Sequence, residues 1–134
     1  MRQTLLAAAV LAALAAPASA EDALSNSPPL VRLFEVVTDP AAFEGTRQEV
    51  RCHFRRANLT LAMCVVFNMS GEHIGDVPVI MRHLPADSRR HLVNNCTGEG
   101  VSAACTADMM ADILADPLGF RNIEIVWHEA EDGH

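Results

Sequence analysis

Arg47, Arg51, His53 and Arg55 alternate along the stretch RQEVRCHFR, and Arg56 follows directly. On a strand such side chains point to one side, and a row of forked guanidinium groups matches the geometry of phosphate or carboxylate. The chemistry on offer is the binding of a small anion, centred on Arg51, His53 and Arg55. The same pattern also describes an exposed strand face whose arginines pair with some of the 17 acids, since surface ion pairs are common and individually weak.

Six histidines, His53, His73, His83, His91, His128 and His134, raise metal handling as a second chemistry. None forms H-x-x-x-H or H-E-x-x-H, so a site would have to be assembled by the fold, with His83 and His91 the first pair to test. Solvent histidines are the plainer reading, and no metal ligand or cofactor is assigned. For catalysis there is no G-x-S-x-G and no S-x-x-K. Asp108 and Asp112 would share a strand face, but alternating acids are an ordinary way to keep such a face soluble. No catalytic residue is assigned. A hydrolase of unknown type would need a perturbed carboxylate or histidine in a cleft.

Four cysteines bear on compartment as much as on chemistry. The chain opens MRQTLLAAAVLAALAAPASA, one arginine, an apolar run and a small-residue Ala-Ser-Ala ending. That is a signal peptide cleaved after Ala20, its apolar run shorter than the ~18 residues of a membrane span. No later stretch is long enough to span either, which places the protein in the periplasm or outside the cell. Of 134 residues, 114 remain after the first 20. In an oxidising compartment the cysteines are expected as two disulfides. Cys52 and Cys64 sit symmetrically about Asn58 in a hairpin turning through ANLT. Cys96 and Cys105 flank the polar loop TGEGVSAA, which can close on itself. These are the pairings expected among three possible ones.

The elements that must position these residues follow from periodicity. Residues 21–29, ending in two prolines, read as a flexible leader, 30–129 as one domain, and 130–134 as a polar tail. Leu30, Leu33, Phe34 and Val37 recur at helical spacing until Asp39-Pro40. From Arg47 the period becomes two, with Val50, Cys52 and Phe54 opposite the basic face. Ala62–Asn68 is a second strand, apolar on both faces, and Val77–His83 a third. A short helix fits 85–94, and a last strand spans Asn122–Glu129. In Cys105–Leu114 alanine, methionine and aspartate favour helix, whereas the nearly unbroken alternation favours strand, and strand is the expectation. Ten basic residues, all arginine, against 17 acids give a formal charge of −7, and loss of Arg2 with the leader makes it −8. That balance argues against general nucleic-acid binding.

Three strands, a helix and two strands, after a lead-in DP-x-x-F-x-G formed by Asp39, Pro40, Phe43 and Gly45, resemble the small bacterial OB-fold domains, including exported ones and the anticodon-binding-like group. The resemblance spans about residues 30–129. It implies a mainly β protein: a five-stranded OB-like Greek-key barrel with a short N-terminal helix and a helix between strands 3 and 4. It further implies a ligand face on strands 2 and 3, drawn from Val65, Phe67, Met69, Val77, Val79 and Met81, with Arg55, Arg56 and His73 from the flanking segments. The chain departs from nucleic-acid-binding members in having no tyrosine and only Phe67 as an aromatic there. The expected function is an exported, non-catalytic binding or interaction module for an unknown protein or small ligand. Anion binding, metal handling and hydrolysis are the alternatives.

Overall fold

The computed structural model describes residues 27–128. The expected signal peptide, most of the leader, and the tail with His134 lie outside the described residues. Pro28 and Pro29 open the helix α1 (Pro29–Thr38), where the missing proline N–H groups cost nothing. Its stripe is centred on Leu33 and Val36, both fully buried, one residue round from the expected 30/33/34/37 pattern, and it packs on the first strand. Arg32 is buried with them. Its Nη1 donates to Gln48 Oε1 at 2.7 Å and its Nη2 to the Ser27 carbonyl at 2.6 Å.

A 3₁₀ turn at Pro40–Phe43 leads into β1 (Arg47–Arg55), followed by β2 (Leu61–Phe67) and β3 (His73–Ile80). A second 3₁₀ turn, Met81–His83, precedes helix α2 (Ala86–Asn95), and β4 (Thr106–Ala115) and β5 (Leu118–Trp127) complete one antiparallel sheet ordered β3-β2-β1-β4-β5. The five strands and both helices stand where periodicity placed them. Residues 106–115 are strand, because Ala107, Met109, Ala111 and Ile113 alternate into the core.

Three boundaries differ. β3 ends at Ile80 and not His83, because Met81–His83 winds into the 3₁₀ turn, with the Leu84 N–H returning to the Met81 carbonyl at 3.0 Å. β3 starts at His73 and not Val77, because Asn68 closes the turn by itself: its Oδ1 accepts the N–H groups of Ser70 and Glu72, both at 2.9 Å, and Gly71 supplies the positive φ of 83°. β5 starts at Leu118, four residues before the expected Asn122, since Asp116-Pro117 alone makes the turn. Asn122 is instead an irregularity within β5, at φ 53°, where the β4–β5 register shifts. The shift lets both Phe120 and Ile123 reach the core.

Both disulfides form with the expected partners, Cys52–Cys64 and Cys96–Cys105, at Cα separations of 5.1 and 5.8 Å. Cys52 and Cys64 do not face each other as hairpin symmetry about Asn58 requires. Cys64 opposes Phe54, not Cys52, so the bond runs diagonally between the strands, after a turn in which Arg56 takes a φ of 54°. The sheet is not closed into the expected barrel. Its edges β3 and β5 approach each other without pairing, and Pro78 in β3 has no N–H to offer a further strand. Among the described residues no helix is long and apolar enough to cross a membrane.

Candidate functional site

The outer face of β1 carries Arg47, Arg51, His53 and Arg55, as alternation requires, and the neighbouring strands decide what they meet. Arg47 and Arg51 are four residues apart on β1, and Asp108 and Asp112 four apart on β4. The antiparallel register sets Arg51 opposite Asp108 and Arg47 opposite Asp112. Arg51 grips Asp108 with two bonds, Nε to Oδ1 at 2.8 Å and Nη2 to Oδ2 at 3.3 Å, a forked pairing. His128 Nε2 lies 3.1 Å from the same Oδ1.

A matching cluster stands on the other side of β1. Arg55 Nη2 is 2.9 Å from Asp76 Oδ2, and His73 Nε2 is 3.0 Å from Asp76 Oδ1. Arg56 Nη1 reaches Asp76 Oδ2 at 3.7 Å and its Nε bonds Glu99 Oε1 at 2.8 Å. Arg55 Nη1 also donates to the Glu99 carbonyl at 3.1 Å. The loop closed by Cys96–Cys105 is thereby fastened over the end of β1.

Between the clusters lies His53. Its Nδ1 is 2.9 Å from Thr106 Oγ1, whose own hydrogen is donated to the Ser102 carbonyl at 2.8 Å. Thr106 therefore accepts, and His53 must carry its proton on Nδ1, which leaves Nε2 as a bare acceptor in the neutral ring. The Phe67 ring meets His53 edge-on at 5.4 Å and His73 at 6.4 Å. Beneath them is Val65, directly opposite both His53 and Asp76 in the register. It is only 2% exposed yet lies outside the main core cluster, so the outer layer covers it.

Environment sets the charges. Burial pushes the His53 imidazole below its ordinary value, and the nearby Arg51 and His128 act in the same direction. For Asp76, burial opposes ionisation, but hydrogen bonds from Arg55 and His73 outweigh it and hold the carboxyl below its usual range. Asp108 follows the same balance, with Arg51 and His128 as donors. The bond to Asp108, partly offset by burial, in turn raises Arg51.

Of the residues expected to form a ligand face, Arg51, His53, Arg55, Arg56, Val65 and Phe67 are brought together, with His73. Val79 and Met81 are not. They are 1% and 2% exposed in the core with Val77: the β2–β3 register sets Val77 and Val79 opposite Cys64 and Ala62, and Met81 is buried from the 3₁₀ turn beyond the strand. The apolar face of β2 is accordingly divided, Val66 inward and Met63, Val65 and Phe67 outward, with Met69 exposed beyond the strand end. His83 and His91 are not drawn into one site: His91 bonds the Ala104 carbonyl and stacks near Trp127 at 4.2 Å, while His83 belongs to the second 3₁₀ turn. Among the described residues no group of three or more His, Cys, Asp or Glu is placed to hold a metal.

Sequence reasoning passed over Asp76, Thr106, Asp108 and His128 as members of this face. A signal for the acids was present, since the four-residue spacing of Asp108 and Asp112 repeats that of Arg47 and Arg51. No family model, curated protein or solved structure was found to match the chain.

Proposed function

We propose that the protein is an exported, non-catalytic binding module whose contact face is the outer surface of β1, β2 and β3 around His53 and Phe67. The observation that carries this reading is His53 itself: a neutral ring whose Nε2 is free to accept, set beside Phe67 and between two carboxylate clusters that are already satisfied. Such a face offers one directed acceptor and one aromatic surface at little ordering cost. Met69 and Ile74, both exposed at the β2–β3 end, extend it with apolar surface, which suits a protein partner presenting an N–H or O–H donor beside an apolar side chain.

The anion reading loses its support because Arg51, Arg55 and Arg56 each face a carboxylate. Export is supported by the two disulfides, which persist in oxidising compartments. An OB-like Greek key is supported by the strand order and by α2 standing between β3 and β4.

The test is a photoreactive side chain placed at Met69 or, as a control at the other end of β2, at Leu59, in the cells that make the protein. A discrete cross-linked partner is expected from position 69 and not from 59, and His53→Gln or Phe67→Ala should abolish it. A cross-link untouched by both replacements, or none at all, overturns the assignment.

A further inference from the structure

Ten arginines stand against 17 acids in this chain, and those on β1 are neutralised by carboxylates. Arg82, on the Met81–His83 turn, and Arg121, on β5, are different: among the described residues neither makes an ion pair. Among the described residues the Arg121 side chain makes a single hydrogen bond, a 3.4 Å contact from Nη1 to the carbonyl of its neighbour Phe120. The turn packs against β5. Burial, and then the charges of Arg121 and Arg82, hold the His83 imidazole below its ordinary value, so the positive charge there rests on the two guanidinium groups. His83 Nε2 is itself buried without a hydrogen-bond partner.

Arg121 also lines a cleft where the unpaired edges of the sheet approach. One part, about 290 Å³, is walled by Leu61, Pro78, Ile80, Leu118 and Phe120 with Arg121 as its cation. An adjoining part, about 220 Å³, shares Ile80, Leu118 and Arg121 and adds Glu44 and Asp116. The cleft therefore combines apolar walls and one uncommitted guanidinium with acids at one end only.

We propose that this cleft binds a small apolar monocarboxylate, its chain against Ile80, Leu118 and Phe120 and its carboxylate on Arg121. The larger part, at about 290 Å³, falls just short of the about 300 Å³ at which ligand pockets begin, and so suits a short chain. A guanidinium facing a carboxylate in partly apolar surroundings forms a charge-assisted pair. Glu44 and Asp116 disfavour a second negative charge, which selects a carboxylate over a phosphate monoester. Arg82 contributes through longer-range attraction. This site is separate from the His53–Phe67 face and does not depend on it.

The experiment is a titration of the full chain with octanoate, octanol and octyl phosphate, followed by amide NMR. Octanoate is expected to bind at about 1 mM or tighter, with shifts gathered on Ile80 and residues 118–121, ahead of both other probes. Arg121→Gln should weaken it by about tenfold, the loss of one charge-assisted pair. Arg121→Lys should restore part of the binding, and Phe67→Ala should leave it unchanged. The proposal is overturned if octanol binds as well as octanoate, if Arg121→Gln has no effect in a chain with native-like spectra, if shifts gather elsewhere, or if octanoate does not bind.

Discussion

Asp76 and Asp112 are both acids facing arginines across the sheet, yet they should answer differently to removal. The Asp76 side chain is 10% exposed and its partner Arg55 15%, so Asp76→Asn leaves a nearly buried guanidinium short of its counter-charge. A loss of about 2 kcal/mol is expected in urea unfolding. Asp112→Asn, at an open surface pair with Arg47, should leave the midpoint where it is. Titration separates these residues further. The folded His53 pKa lies below the ordinary 6.5, so its contribution is complete above that value and is lost as pH falls from there through the folded pKa. Asp76 and Asp108 lie below the ordinary 3.8. Their contribution is present above that value and lost below it, as pH falls through the folded pKa values. Midpoints measured against pH should therefore fall in two windows. His53→Gln should reduce the upper one, to which the lowered His83 also contributes, and Asp76→Asn the lower; a profile unchanged by either would contradict these assignments.

Elements carry the next set of consequences. The Cys96–Cys105 bond closes a loop that runs from the end of α2 to the start of β4 and supplies Glu99 to Arg55 and Arg56. Replacing both cysteines by alanine should cost about 3 kcal/mol by the loop-entropy estimate. It should also loosen the Arg55–Asp76 end of the face before the Arg51–Asp108 end, which faster amide exchange at residues 97–100 would report. The β2–β3 turn depends on Gly71, whose positive φ a side chain tolerates poorly. Gly71→Ala, with open space around the new methyl, should cost about 1 kcal/mol through backbone strain alone. Thermal denaturation would measure it, and an unchanged transition would show that the turn relaxes.

For the whole molecule, the open sheet is the decisive feature. β3 and β5 are left as edges, and Pro78 takes one backbone donor out of the β3 edge. Pro78→Val restores that donor on an exposed strand and should promote self-association, read as a concentration-dependent mass by light scattering. A mass unchanged by this replacement would place the protection elsewhere, for example in the approach of β5.

The sequence by itself determined the element order, and it favoured a strand at 105–114 and the two disulfide pairings over their alternatives without deciding them. Each depends on periodicity or on cysteines a short loop apart, and both act within one or two neighbouring elements. It also showed which β1 side chains face outward. Only the tertiary structure decided what they face. Arg51 meets Asp108 across 57 residues, and Val79 turns into the core opposite Ala62, because cross-strand register exchanges one face for the other with a single-residue shift. The diagonal Cys52–Cys64 bond and the open β3–β5 edge have the same origin. Strand pairing is a long-range agreement between segments, and no one segment carries it alone.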